Sequence, residues 1–460
     1  MVKVYKPQDK INFKEYMEFC ENNKNYIYTI DDGKVFHVDD KTLRLLQQSG
    51  RSYNEICENI SDVFSRDELD GILEKMSKYN FITSGVLPKG EPSPKLTNDI
   101  STLTLLVTQA CNLRCSYCYG EDGSYNDNGI MDIQTAKKAV DFLLTKTHQD
   151  KVSVCFFGGE PLLNFTLIKE IVSYCREKER ETQKRIAFSM TTNGTKINEE
   201  ISKYIVENSI RLQISIDGDR ATHDTNRYYS DKTGSHHNVI KNTEYLRNLG
   251  LLDARATVTG KNMDLVSTYN YLKSIGFKGV TLSPAFNLLS DGEYDLLADA
   301  YRELYLYFEK FIKNREFDKV LENKSFMQEI NQINSAMKRR VSCGVGRNLY
   351  AVDIHGNLFP CQRFVSNKDF KVGSIYENDD GQEEFVSKIN IDNYEKCASC
   401  WVRNLCVSGC SHNNLSSTGD VNLPYEPFCK FTRKVKKEVI GIYLRLTPEE
   451  KKILFKSKTK

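Results

Sequence analysis

The feature that most constrains the fold is a repeat of short apolar strands and amphipathic helices through the middle of the chain. Between the strands, apolar residues recur at helical spacing, and Asp132 is placed to cap the first of these helices. The six strand candidates are Leu103–Val107, Val152–Phe156, Ile186–Met190, Leu212–Ile216, Ala254–Val258 and Val280–Leu282. Strands that alternate with helices form a parallel sheet joined by right-handed crossovers. The repeat therefore predicts an α/β fold of six strand–helix units.

Three closely spaced cysteines follow the first predicted strand. Cys111, Cys115 and Cys118 stand in the run CNLRCSYCYG, with the spacing C-x3-C-x2-C. Three thiolates on one loop can hold three corners of a [4Fe–4S] cluster, because soft sulfur ligands suit iron–sulfur chemistry. The fourth iron would stay open for a substrate or cofactor. The spacing alone leaves a zinc site as the alternative.

Further polar motifs follow later strands in order. GGEPLL covers Gly158–Leu163, TTNG covers Thr191–Gly194 and SIDG covers Ser215–Gly218, while Arg227 ends the stretch HDTNR. Parallel α/β enzymes carry their chemistry on the loops that leave the C-terminal ends of the strands. We therefore expect these motifs and the cysteine loop to converge on one bound molecule.

These five motifs together resemble those of the radical S-adenosylmethionine (radical SAM) enzymes. The resemblance implies a partial (β/α)6 barrel, with Cys111, Cys115 and Cys118 as the catalytic [4Fe–4S] ligands and S-adenosylmethionine bound beside them. By the same resemblance, the GGE turn would bind the methionyl amino group, the SIDG strand end the ribose, and Arg227 the methionyl carboxylate. The cofactor-binding residues that it implies are Tyr117, Gly158, Gly159, Glu160, Asn193, Ser215, Asp217 and Arg227.

The C-terminal third holds seven more cysteines in a second pattern, which includes the spacing C-x2-C-x5-C-x3-C. They are Cys343, Cys361, Cys397, Cys400, Cys406, Cys410 and Cys429. The pattern resembles the SPASM extension of radical enzymes that modify peptides. The resemblance implies two auxiliary [4Fe–4S] clusters, one on Cys397, Cys400, Cys406 and Cys429 and one on Cys343, Cys361 and Cys410. Two zinc sites in a ribbon-like domain are the alternative.

The second auxiliary cluster would have one open iron, because seven thiolates cannot fill eight positions. Relatives that close it use a cysteine just upstream of the first, but the run NSAMKRRVS before Cys343 has none. The iron would be free for a substrate thiolate. SPASM sulfatase maturases have a catalytic aspartate directly after the cysteine equivalent to Cys361, whereas this chain has Gln362. The resemblance thus favours enzymes that form peptide thioethers.

The N-terminal segment predicts a small α+β domain. A hairpin is expected at Tyr26–Ile30 and Val35–Val38, and Phe81–Thr83 can return as a strand. Helices are expected at Lys41–Gln48, Tyr53–Ser61 and Asp67–Tyr79. The segment resembles the winged-helix precursor-recognition domain of ribosomal peptide pathways, in which a leader peptide extends an open sheet edge. A generic small α+β domain is the alternative.

The expected domain order follows from these patterns. It comprises a recognition domain at residues 1–88, a linker at 89–100 around the proline-bearing run 87–96, a barrel at 101–320, a bridging helical segment at 321–342, a SPASM domain at 343–435 and a helical tail at 436–460.

Composition predicts a cytoplasmic enzyme. The net charge of +2, from 64 basic and 62 acidic residues, favours neither nucleic acid nor a membrane as a partner. No apolar run reaches the roughly 18 residues that a spanning helix needs, and the N-terminus has no secretory h-region. Cys20, Cys57, Cys155 and Cys175 are expected to be buried core thiols, Trp401 to pack beside a cluster, and the basic stretch from Lys430 to be a solvated helix.

The resemblance implies a radical SAM peptide maturase. A 5′-deoxyadenosyl radical would abstract a carbon-bound hydrogen from a leader-bearing, cysteine-containing precursor peptide, and a peptide cysteine would join that carbon as a thioether. A flavodoxin or ferredoxin would supply electrons. A carbon–carbon crosslink or a formylglycine-type oxidation are alternatives within the superfamily. A zinc-bound peptide-binding adaptor is the alternative from another class.

Overall fold

The computed structural model describes residues 5–83, 99–339, 341, 343–377 and 381–455. The predicted linker run 87–96 lies outside the described residues, as do most residues of the expected linker range 89–100.

The N-terminal segment contains the predicted hairpin and three helices. Its elements are β1 (Asn12–Phe13), β2 (Tyr16–Glu21), β3 (Lys24–Thr29), β4 (Val35–Val38), α1 (Asp40–Leu46), α2 (Tyr53–Asn59), α3 (Arg66–Lys78) and β5 (Ile82–Thr83). β2, β3 and β4 form an antiparallel sheet, and β1 pairs with β5. Ser52 and Ser65 start α2 and α3 with capping boxes, which satisfy the first free N–H groups of each helix. β2 was not predicted from the sequence.

The six predicted barrel strands are all present. They are β6 (Thr102–Thr108), β7 (Lys151–Gly158), β8 (Arg185–Thr192), β9 (Arg211–Ser215), β10 (Leu252–Val258) and β11 (Gly279–Pro284). Between them lie α4 (Ile133–Lys146), α5 (Phe165–Thr182), α6 (Glu199–Glu207), α7 (Arg220–Asn226), α8 (His236–Asn248) and α9 (Leu265–Ser274). Each strand is parallel to its neighbour, in the order β11-β10-β9-β8-β7-β6. Asp132 caps α4 as predicted, by accepting a hydrogen bond from the backbone N–H of Thr135.

The two faces of this parallel sheet differ in polarity. On β10, Leu252, Ala254, Ala256 and Val258 are fully buried, while the positions between them, such as Arg255, are only partly buried. Successive side chains of a strand point to opposite faces, so one face packs in the core and the other lines the barrel interior. Polar residues on that inner face therefore mark the site.

A three-stranded addition extends the sheet beyond β6. After α10 (Asp291–Lys313), α11 (Phe317–Leu321) and α12 (Lys324–Asn334), β12 (Leu349–Val352) pairs in parallel with β6. β13 (Asn357–Phe359) and β14 (Gly373–Ser374) continue it in antiparallel pairing. β13 ends two residues before Cys361, so the added strands carry that cysteine to the edge of the barrel.

The C-terminal part is helical and is rich in cysteine. Its helices are α13 (Gln382–Lys388), α14 (Glu395–Ala398), α15 (Arg403–Cys406), α16 (Ser411–Thr418), α17 (Glu426–Arg445) and α18 (Pro448–Leu454). Together with the barrel and the N-terminal segment, this part confirms the predicted fold class. In the described part of the chain, no helix combines the length and the apolar character that crossing a membrane requires.

Two expectations about single segments were wrong. The stretch from Lys430 is not a solvated helix, because Phe431, Val435 and Val439 of α17 are buried in the core. Cys20 is exposed, since β2 turns its neighbour Phe19 inward instead, and the alternation of a strand puts the two on opposite faces.

Trp401 packs edge-on against two aromatic rings of the N-terminal sheet, Phe19 and Tyr28. Of the other expected core thiols, Cys175 is buried, and Cys57 and Cys155 are half-buried.

Candidate cofactor and cluster site

The loop after β6 carries the first three cysteines and is fixed by backbone hydrogen bonds. The N–H of Arg114 donates to the carbonyl of Tyr228 at 2.7 Å, and the N–H of Ser116 donates to that of Asn226 at 2.9 Å. These bonds hold the cysteine loop against the segment that follows α7. The loop is therefore positioned by the far side of the barrel as well as by its own strand.

The thiols of this loop lie close enough to influence one another. Burial raises the pKa of Cys111 to about 12, and the negative charges of Glu160, Cys115 and Cys118 also raise it. Burial raises the pKa of Cys115 to about 11. The thiols thus hold their protons at neutral pH, and a metal that binds them must displace those protons.

Glycines allow the GGE turn to lie directly against this loop. A Cβ at Gly159 would lie 2.1 Å from the carbonyl oxygen of Ala110, and one at Gly158 would lie 2.0 Å from that of Thr108. A Cβ at Gly123, within the cysteine loop, would lie 2.3 Å from the Cβ of Cys111. Only glycine fits such close backbone approaches. The GGE turn and the cysteine loop are therefore in direct backbone contact.

Glu160 is fully buried and connects two of the motifs. Its carboxylate accepts hydrogen bonds from the hydroxyl of Thr192 at 2.6 Å and from the N–H groups of Asn193 at 2.8 Å and Leu162 at 3.1 Å. Burial raises the pKa of Glu160, and these three hydrogen bonds oppose that rise. Glu160 thus holds the TTNG turn in place through hydrogen bonds, and it does not itself line the cavity.

Asp217 also lies behind the cavity, where it is fully buried. It accepts hydrogen bonds from the N–H of Thr257 at 2.9 Å and from the hydroxyl of Tyr117. Nε of Arg227 lies 3.2 Å from its carboxylate. Asp217 therefore orients both a tyrosine of the cysteine loop and the arginine after α7.

Arg227 is turned toward the cysteine loop. Its guanidinium lies 5.1 Å from the centre of the Tyr117 ring, and its Nη1 lies 3.8 Å from Sγ of Cys115. Nε is buried without a hydrogen bond, because its approach to Asp217 has poor hydrogen-bond geometry. Arg227 also lines the cavity, where its guanidinium can bind an anionic or acceptor-rich ligand.

A cavity of about 170 Å³ brings most of the predicted residues together at the strand ends. The predicted residues that line it are Cys111, Cys115, Cys118, Tyr117, Gly158, Gly159, Asn193, Ser215 and Arg227. Several other lining residues were not predicted from the sequence, among them Tyr119, Tyr125, Arg255, Thr257, Ser283, Asn287 and Arg363. A polar residue at an inward position of a predicted strand, such as Arg255 or Thr257, was the available signal.

Cys361 adjoins this cavity through the two residues that follow it in the chain. Burial raises the pKa of Cys361 to about 12, and the negative charges of Cys410 and Cys343 raise it too. Gln362 and Arg363, the two residues after Cys361, line the cavity.

The remaining four cysteines surround a separate small cavity of about 40 Å³. Burial raises the pKa of Cys406 to about 12, with contributions from Cys429, Cys397 and Cys400. Over the described ranges, no three His, Cys, Asp or Glu side chains converge closely enough to hold a single metal ion. Three of the ten cysteines thus line the cavity at the strand ends and four line the small cavity, while Cys343 and Cys410 act electrostatically on Cys361.

Comparison with known proteins identifies the domain that this site belongs to. Residues 105–283 match the model of the Radical SAM superfamily. The chain therefore carries a radical SAM domain, which implies S-adenosylmethionine and one [4Fe–4S] cluster.

Individual relatives extend the likeness beyond the barrel. An uncharacterised protein of Methanocaldococcus jannaschii is 36% identical over 188 residues, which is 40% of this chain and 63% of that protein, just under two thirds of its length. The cysteine-type anaerobic sulfatase-maturating enzyme of Clostridium novyi is 27% identical over 370 residues, covering 73% of this chain and 96% of the enzyme.

Among solved structures, native anSMEcpe with bound AdoMet and Cp18Cys peptide has a TM-score of 0.63 at 20% identity. The alignment covers 76% of this chain and all of that one. This likeness shows that the fold is shared.

Proposed function

We propose that this chain is a radical SAM peptide maturase that links a cysteine of a precursor peptide to a carbon of the same peptide through a thioether. The observation that carries the proposal is the arrangement of ten cysteines in groups of three, three and four. The group of Cys343, Cys361 and Cys410 has only three thiols and borders the cavity of the radical SAM domain through Gln362 and Arg363.

At the first group, Cys111, Cys115 and Cys118 would hold the catalytic cluster. Tyr117, Gly158, Gly159, Asn193, Ser215 and Arg227 would contact S-adenosylmethionine, while Glu160 and Asp217 would hold the contacting residues in place. When bound, the cofactor supplies the radical that removes hydrogen from carbon. The protein orients the reactants and excludes water, and correct orientation contributes much of the rate.

At the second group, three protein thiolates would leave one iron for the thiol of the substrate. A thiol that binds a metal loses its proton. Gln362 is a neutral amide and cannot accept a proton at neutral pH, so proton removal by metal binding would replace the base that sulfatase maturases have at this position. Cys397, Cys400, Cys406 and Cys429 would hold a further closed cluster.

Formylglycine-type oxidation is the second candidate. The Clostridium novyi enzyme, which is named a sulfatase-maturating enzyme, favours it through its likeness along 96% of its own length. Gln362 argues against it, because an amide stands where that chemistry uses a carboxylate. The two candidates differ in their product, since a thioether keeps the sulfur of the peptide and oxidation to the aldehyde removes it.

The partners in this proposal are a leader-bearing precursor and a flavodoxin or ferredoxin. β4 forms one edge of the N-terminal sheet and carries Phe36, which is 39% exposed. An open strand edge with an exposed aromatic ring is suited to the addition of an extended peptide. β2, at the other edge, packs near α17.

The test is spectroscopy of the auxiliary cluster with the substrate. The variant with Cys111, Cys115 and Cys118 changed to alanine removes the signal of the catalytic cluster and leaves the auxiliary signals in isolation. Adding a leader-bearing precursor should perturb the electron paramagnetic resonance of a reduced auxiliary cluster, and a precursor with its cysteine changed to serine should not. An unchanged spectrum, together with a product of the wild-type enzyme that has lost the cysteine sulfur, would reject the thioether proposal. Stoichiometric zinc in place of iron would support the adaptor instead.

A further inference from the structure

Arg255 is a cation inside the barrel without a counter-charge. It lies on the inward face of β10, between Ser215 of β9 and Thr281 of β11, and its side chain lines the cavity. Within the part of the chain that the structure describes, its guanidinium makes neither a hydrogen bond nor an ion pair. Burial lowers the pKa of Arg255, against an opposing effect of Tyr119, and the positive charges of Arg363 and Arg227 lower it further.

Arg363 faces the same cavity from the cysteine-rich part. Its Nη1 donates a hydrogen bond to Oδ1 of Asn413 at 2.8 Å, and its guanidinium lies 4.9 Å from the centre of the Tyr119 ring. Both partners are uncharged. Arg255 and Arg363 therefore bring two positive charges to one cavity, and neither is neutralised by a described carboxylate.

The third arginine of the cavity is in a different situation. Arg227 has Asp217 at 3.2 Å and Sγ of Cys115 at 3.8 Å. It is thus placed beside the cysteine loop, where the resemblance puts the carboxylate of the cofactor. Arg255 instead enters the cavity from strand β10.

We propose that Arg255 and Arg363 together bind a carboxylate of the substrate, so that the substrate carries an acidic group beside the residue that reacts. A guanidinium presents its N–H donors in a planar fork that matches a carboxylate, and such a pair is strong in a site shielded from water. An uncharged substrate would leave two positive charges in the cavity without a counter-charge, which is costly. Both residues line the same cavity, Arg255 from strand β10 of the barrel and Arg363 from the segment that follows Cys361.

The inference rests on the proposed function in taking the substrate to be a peptide that is modified at an internal residue. The carboxylate could come from an aspartate or glutamate side chain or from a peptide C-terminus. We infer the side chain, because a thioether within a chain is made at an internal residue. The experiment separates the two sources.

The test is peptide binding by the iron-reconstituted enzyme with saturating S-adenosylmethionine, measured anaerobically by calorimetry. Three probes are compared: acetyl-Ala-Asp-Ala-amide, acetyl-Ala-Asn-Ala-amide and acetyl-Ala-Asn-Ala with a free C-terminal carboxylate. The aspartate peptide should bind at least tenfold more tightly than the other two. Arg255→Gln should abolish the preference, Arg363→Gln should reduce it, and Arg255→Lys should keep part of it.

Two controls separate substrate recognition from other roles. Arg211→Gln alters an arginine at the start of β9 that is paired with Asp253 and lies outside the cavity, so it should keep the full preference. The affinity for S-adenosylmethionine and the iron content should be unchanged in Arg255→Gln.

Equal binding of the aspartate and asparagine peptides would overturn the inference, as would a loss of cofactor affinity in Arg255→Gln with the peptide preference intact. Tightest binding of the free C-terminus would overturn the assignment to a side chain. A preference that persists while the product lacks a thioether would reject only the proposed function.

Discussion

Replacing Gly159 by alanine tests whether the close contact of the GGE turn with the cysteine loop is essential. The added Cβ would lie 2.1 Å from the carbonyl oxygen of Ala110 and 2.6 Å from that of Gly123. Because these atoms are backbone, the two loops must separate by about 1 Å, and a misplacement of that size costs on the order of 100-fold in rate. Overpacking of this kind also destabilises a fold by about 1–3 kcal/mol.

The assay is the rate of 5′-deoxyadenosine formation per catalytic cluster, with thermal unfolding followed in parallel. Gly292→Ala is the matched control, since a Cβ there, in the first turn of α10, meets nothing within 4 Å. Alanine at that helical position should stabilise the protein by up to about 1 kcal/mol and leave the rate unchanged. A Gly159→Ala enzyme that forms 5′-deoxyadenosine at the wild-type rate with full iron content would refute the reasoning.

Three further changes test other parts of the molecule. Changing Cys111, Cys115 and Cys118 together to alanine should abolish 5′-deoxyadenosine formation while the iron of the other two groups remains; persistent cleavage would show that these thiols are not the catalytic ligands. Deleting residues 1–88 should weaken binding of a leader-bearing precursor and spare uncoupled cofactor cleavage, so an unchanged precursor affinity would assign the segment another role. Arg445→Leu removes the shared partner of Glu309, Glu438 and Glu21, and should destabilise the protein by about 3 kcal/mol in chemical denaturation; a loss below about 0.5 kcal/mol would mean that solvent already screens the network.

The sequence predicted the barrel because its signals are local. Each strand is a short apolar run, Asp132 marks the start of a helix, and the polar motifs directly follow strand ends. β12 and β13 were not predicted, since β12 pairs in parallel with β6 almost 250 residues away and nothing near Leu349 indicates that partner. The pairing of strands that are far apart in the sequence cannot be predicted from the local spacing of apolar residues.

The sequence motifs of the candidate site were predicted, whereas several other residues that line its cavity were not. Cys111 and Gly159 belong to recognisable sequence motifs. Arg255 is a single residue within a strand and belongs to no motif, and it reaches the cavity only because that face of β10 points into the barrel. Two motif residues have a different position from the one expected. Glu160 and Asp217 are fully buried behind the cavity, where they hold other residues. Spacing cannot distinguish a residue that contacts a ligand from one that orients its neighbour.

Helix α17 links the cysteine-rich part to the N-terminal sheet. Cys429 lies in its first turn and Arg445 is its last residue, so at about 1.5 Å per residue the two lie about 24 Å apart along one rigid axis. Arg445 pairs with Glu21 of β2 and with Glu309 of α10. Loading of metal at the Cys429 end would therefore order the start of a helix whose other end anchors the segment proposed to recognise the leader. A newly made chain lacking that metal would present a less firmly held recognition segment, so precursor capture would favour molecules whose own clusters are already assembled.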